Sequence, residues 1–216
     1  SCVERLVGLM RTTFARYDTT SGYGMAFTVV NIGRAGTGDT SSVRIDHKGA
    51  CRRVISAGSI IYETPKDIIV VMTDQKVILI RDGEPTPGRV DAFSAVIGMM
   101  ENTRNVTCQT SSDGATTFAI ALSKKSQSPF RSVHVEYLPN NVLARVTAHY
   151  RDLRYGKRMI VTMQSLGPVA QDFVECNSAV PLVMDSNKRL LPQFNGYEVF
   201  DARATLAERR SRPVVR

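Results

Sequence analysis

"KDIIVVMTDQKVILIRDG", residues 66–83, holds two strongly apolar runs on either side of a short polar break. The first is Ile68-Ile69-Val70-Val71-Met72 and the second is Val77-Ile78-Leu79-Ile80. The break, Thr73-Asp74-Gln75-Lys76, has four polar residues, and such a break between β-branched runs predicts a β-hairpin. So much apolar surface in a basic, otherwise water-compatible chain must face an ordinary core, a partner or an apolar ligand.

Working outward, residues 3–17 carry Val3, Leu6, Val7, Met10 and Phe14 at three- and four-residue spacing, the pattern of an amphipathic helix. Short strands are predicted over 25–31, 42–47, 51–56 and 59–63, and the hairpin supplies two more. Residues 91–100 read as a second helix, with Asp91 at its N-cap and Phe93, Val96, Ile97 and Met100 on one face. A second run of strands follows over 105–110, 116–122, 131–138, 143–150 and 158–166, and a short one over 197–200. Within 131–138, Val133, Val135 and Tyr137 alternate with Ser132, His134 and Glu136, as in a sheet with one dry side. No strand–helix alternation, no glycine-rich phosphate loop and no solenoid-length repeat appears. The fold class expected is α+β: a strongly bent antiparallel sheet, a half-open β-barrel, covered by two or more helices. Residues 1–203 make one domain, and 204–216 a basic C-terminal tail.

Composition narrows the function. The chain has 216 residues, 43% of them hydrophobic, enough for a real core, and no apolar run approaches the roughly 20 residues that span a bilayer. Its net charge is +8, and half of that excess lies in residues 202–216, where five arginines stand against one glutamate. Without a basic stripe interleaved with aromatics, no dedicated nucleic-acid module and so no nucleic acid is expected as a partner; the tail is a solvated end, a contact for an anionic surface such as a membrane, or a dock for an envelope partner protein. Cys2, Cys51, Cys108 and Cys176 show no CxxC pair and no histidine at ligand spacing, so no metal site is expected. Buried thiols and one or two disulfides both remain open, as does acylation of Cys2. His134 and His149 fall on adjacent strands around the turn at 139–141, at best diagonal to one another. No nucleophile motif such as GxSxG is present, and the chain reads as non-catalytic, with no cofactor.

Three stretches carry a resemblance: LVGLMRTTFARY…GYGMAFTVVN at the start, IIVVMTDQKVILI in the hairpin and QFNGYEVFDAR at residues 193–203. Together with the strand order over residues 3–203, they resemble the periplasmic lipoprotein-carrier family with the LolA-like fold. In such proteins an aspartate-glycine-lysine turn often joins the apolar strands; here it is Asp74-Gln75-Lys76. The last stretch is similar to a terminal motif of Bacteroidetes-type members, with Gly196, Tyr197, Val199, Phe200, Asp201 and Arg203 at the matching positions.

The resemblance implies an apolar concavity that takes acyl chains of lipoproteins or other lipids in the periplasm or at the outer membrane. Membrane contact would be transient, or made through a lipidated Cys2. The lining and lid would be Met10, Phe14, Phe27, Ile69, Val71, Ile78, Ile80, Phe93, Ile97 and Met100. By position, Arg52 and Arg53 are both candidates for the arginine that holds the lid. A non-catalytic envelope component with a filled interior is the alternative.

Overall fold

The computed structural model describes residues 1–15, 22–83, 105–124 and 128–203. A single helix, α1 (Cys2–Ala15), opens the chain. Ser1 caps it: the Glu4 amide donates to the Ser1 Oγ at 3.3 Å, the serine half of a capping box. Near its end the Thr12 and Thr13 hydroxyls turn back onto the carbonyls of Gly8 and Leu9.

Among the described residues twelve strands follow. They are β1 (Tyr23–Ile32), β2 (Gly38–Lys48), β3 (Cys51–Ser56), β4 (Ser59–Glu63), β5 (Asp67–Met72), β6 (Val77–Asp82), β7 (Val106–Thr110), β8 (Thr116–Ala121), β9 (Phe130–Tyr137), β10 (Leu143–Tyr150), β11 (Arg158–Gly167) and β12 (Glu198–Asp201). They form one sheet in the order β12-β6-β5-β4-β3-β2-β1-β11-β10-β9-β8-β7. Neighbours are antiparallel except β12, which returns to lie parallel to β6.

The hairpin of residues 66–83 forms as expected. Met72 pairs with Val77 across the four-residue turn, where Lys76 takes φ +53°. At the β3–β4 turn the backbone also enters the left-handed region, at Gly58 with φ +72°, where a side chain would be strained. The two halves of the sheet, β2–β6 and β7–β11, meet at β1, which pairs with β2 on one side and β11 on the other.

The sheet has two packed cores. Leu6 and Met10 of α1 bury against Phe118, Ile120, Val135, Tyr137 and Leu143 of β8–β10. At the other end, Ile69, Val71, Ile78 and Ile80 of β5 and β6 bury under Ala179, Val183 and Phe194. The latter three belong to residues 168–197, a strap without long elements that holds two single 3-10 turns, Val180–Leu182 and Pro192–Phe194.

The expected fold class needs correction. Cover by two or more helices is not what the described residues show: they hold one α-helix over one end of a large open sheet, and an irregular strap over the other. The strap covers that end through Val180, Leu182, Val183, Leu190 and Leu191, which pack in or against the β5–β6 core, while Pro181 and Pro192 interrupt any helical run. The second expected helix, 91–100, and the basic tail, 204–216, lie outside the described residues.

Candidate functional site

Directly paired residues on neighbouring strands share a face of a sheet, and successive residues alternate between faces. The register therefore sorts the strand residues onto a face that carries α1 and a face that carries the strap.

On the helix face one row stands out. Leu166 pairs with Met25, Met25 with Ile45, Ile45 with Val54, Val54 with Ile61, Ile61 with Val70, and Val70 with Leu79. These seven residues come from seven adjacent strands, β11 to β6, and every one is apolar. Met25 is buried and the other six are half-buried. None of the seven belongs to either packed core. Phe27 lies alongside, paired with Val43 and with Met163, and Met163 itself packs against the α1 core. The apolar row is thus continuous with the wall that α1 makes.

Its border on one side is polar. Tyr23 pairs with His47, His47 with Arg52, and Arg52 with Glu63. The Tyr23 hydroxyl lies 3.2 Å from His47 Nδ1, and Arg52 donates to Glu63 at 3.1 Å. The face is therefore amphipathic: a long apolar strip edged by hydrogen-bonding and charged groups.

Of the residues expected to line a cavity, the structure brings Met10 and Phe27 to the helix face, with Phe14 in the same helix as Met10. Ile69, Val71, Ile78 and Ile80 lie on the opposite face, fully buried under the strap. Phe93, Ile97 and Met100 lie outside the described residues. Sequence reasoning missed Ile45, Val54, Ile61, Val70 and Leu79. In β5 and β6 the apolar residues run consecutively, so periodicity does not tell one face from the other. The one signal was cumulative: each of the strands β2 to β6 has an apolar residue at the matching register position.

The strap face is polar in its middle, and there it fastens the strap. Asp46 is wholly buried and accepts from Arg44 at 2.9 Å, from Arg53 at 2.9 Å and from the Ala170 amide at 2.9 Å. Burial pushes its carboxyl up, but these donors together outweigh that and hold it below the usual carboxylate range. Arg53 also donates twice to Asp172 of the strap, at 2.9 and 3.0 Å, and its guanidinium lies 5.5 Å from the Phe173 ring centre. Asp172, then Asp46, hold that guanidinium protonated against the cost of burial. Gly24 gives the strap room: an added Cβ would stand 2.7 Å from the Pro168 carbonyl. Further along, buried Asp67 accepts from the Ala179 amide at 2.6 Å and from Ser178. Of the two arginine candidates, Arg53 is the one that grips a covering segment, while Arg52 sits at the border of the apolar row.

Cys2 and Cys108 form a disulfide that ties the start of α1 to β7. Of the possibilities left open at Cys2, the structure shows the disulfide. Arg5 adds hydrogen bonds to Thr110 and Thr116 at 3.3 and 3.0 Å, so α1 is pinned along the sheet edge. His134 and His149 are diagonal neighbours, since His134 pairs with Thr147; their rings are 5.4 Å apart. The terminal motif places Gly196 at φ +83° ahead of β12, whose Asp201 pairs with Arg203.

No family model matches the chain, and no curated protein matches it. Among solved structures it is similar to an uncharacterized conserved protein from Thermus thermophilus, at 11% identity and TM-score 0.48, over 91% of this chain and 99% of that one. A DUF1329 family protein from Desulfovibrio piger matches at 10% identity and TM-score 0.39, over 80% and 95%. A LolA superfamily protein from Nitrosomonas europaea matches at 10% identity and TM-score 0.36, over 76% and 93%. The family suspected from the sequence is thus among the structural neighbours.

Proposed function

We propose that the protein is a non-catalytic carrier of the cell envelope that binds alkyl chains, those of lipoproteins or of free lipids, on the helix face of its sheet. The observation that carries this reading is the unbroken apolar row from Leu166 to Leu79, edged by Tyr23, His47, Arg52 and Glu63. Seven strands spaced by about 4.8 Å make a row roughly 29 Å long. One leaflet's hydrocarbon is about half of a ~30 Å bilayer core, so the row has room for a whole acyl chain. Each methylene moved from water onto such a surface contributes about 0.8 kcal/mol, so a dozen give about 10 kcal/mol before ordering costs. The polar border suits a head group that stays wetted while the chain lies along the row.

Binding on this scheme is reversible and non-covalent. The helix α1 serves as a fixed end wall rather than a swinging lid, since the disulfide and Arg5 hold it to β7 and β8. The same disulfide supports an oxidising compartment such as the periplasm.

The experiment is native mass spectrometry of the purified protein, followed by titration with a fluorescent fatty acid. Ile61→Glu and Leu79→Glu each put an unpaired carboxylate into the row and should weaken uptake about tenfold or more. Thr28→Glu, on the strap face, should leave it unchanged. A clean apo mass, with uptake insensitive to the row substitutions in proteins whose circular dichroism is native, would replace the carrier with the alternative: an envelope interaction component.

A further inference from the structure

The two remaining cysteines meet where the strap crosses the sheet. Cys51, the first residue of β3, is wholly buried, and Cys176 belongs to the strap and is half-buried. Their sulfurs stand 2.7 Å apart, although 125 positions separate them in the chain. A disulfide bond closes at about 2.05 Å, and two sulfurs with no bond to make do not settle this close in a packed interior. Geometry on both sides holds them there. Lys48, three residues before Cys51 at the β2–β3 turn, and Glu175, one residue before Cys176 along the strap, form an ion pair at 3.4 Å that requires the two segments to be aligned. Four residues before Cys176, Asp172 is locked onto Arg53, two residues after Cys51. Among the described residues no group of three or more His, Cys, Asp or Glu could hold a metal ion, so the pair is not half of a thiolate metal site.

We propose that Cys51 and Cys176 close a second disulfide, which staples the strap to β3. The compartment that oxidises Cys2 and Cys108 supplies the conditions. In the balanced reaction, the accessible Cys176 thiolate attacks an external disulfide, from a dithiol oxidase or oxidised glutathione, and expels one thiolate. The Cys51 thiolate then attacks the Cys176 sulfur of the mixed disulfide and expels the second. Two cysteine protons are released, and the external disulfide takes up two electrons. The resolving step is favoured in place, because the Cys51 sulfur is already held beside the Cys176 sulfur that it must attack. The staple lies on the face away from the apolar row, and its presence does not depend on whether that row takes a lipid.

The test is peptide mapping of the full chain, oxidised in a glutathione buffer, denatured and alkylated with N-ethylmaleimide without reductant. The expected result is no alkylated cysteine and two cross-linked peptides, Cys2–Cys108 and Cys51–Cys176. Alkylation of Cys51 and Cys176, or any other pairing, overturns the proposal. As a second arm, limited proteolysis compares the oxidised protein with a Cys51→Ser/Cys176→Ser double variant, which retains the first disulfide. Cleavage within 168–197 should be about tenfold faster in the variant, since the strap then opens locally more often. Equal cleavage rates would show that no staple restrains the strap.

Discussion

The two ends of the sheet solve the same problem differently. In β8–β10 the apolar residues alternate: Phe118, Ile120, Val135 and Tyr137 face α1, while Thr117, His134, Glu136 and Arg145 face the other way. One cover suffices there, because only one side is dry. In β5 and β6 both sides are apolar. Ile69, Val71, Ile78 and Ile80 take the strap, and Val70 and Leu79 on the reverse side continue the row. The difference teaches that one cover cannot serve the strand block that is apolar on both sides: among the described residues the strap packs on one side, and Val70 and Leu79 on the other belong to neither packed core.

The comparison breaks most sharply at the polar anchor of the strap. Asp46→Ala strips the buried Arg53 and its neighbour Arg44 of their common carboxylate and should cost about 3–5 kcal/mol, read as a lowered urea midpoint. It should free the strap and leave α1 on the sheet. A matched pair then tests whether the two cores are separable. Leu6→Ala and Ile78→Ala should each cost about 3 kcal/mol. Hydrogen exchange should rise in β7–β10 for the first and in the strap and β12 for the second; a common pattern would mean a single cooperative core.

Cys108→Ser removes the tether of α1 and should cost about 2–3 kcal/mol, with exchange rising in the helix while the strap stays protected.

The smallest effect belongs to the open strap-face side of β9 and β10. Burial, then His134, Arg131 and Arg158, hold His149 below its ordinary value of 6.5, and Arg145 and Glu136 share that face. The folded protein therefore resists a proton that the unfolded chain accepts. Stability should be level above about 6.5 and fall slightly as pH drops below it. His149→Gln should flatten that slope in a series of thermal melts, with no change in strap protection.

Much of this architecture is legible in residue order. Every expected strand is present to within a few residues, because turn residues and β-branched runs are local signals, and the diagonal placement of His134 and His149 follows from counting around one turn. The strap is not legible in the same way. Its apolar residues have no period, and its anchors join Asp172 to Arg53 and Ala179 to Asp67 across more than a hundred positions. The faces of the expected lining residues were unevenly legible: helical spacing places Met10 on the apolar stripe of α1, whereas β5 and β6 carry apolar side chains on both parities, so spacing could not sort them.

By itself, the sequence determined a chain of short strands with one amphipathic helix ahead of them, since those follow from spacing over a few residues. Only the tertiary structure decided which side of residues 68–80 meets protein and which continues the apolar row. Strand pleating makes the two sides equivalent until a distant segment lands on one of them. That segment is the strap, drawn to its face by the buried carboxylates of Asp46 and Asp67.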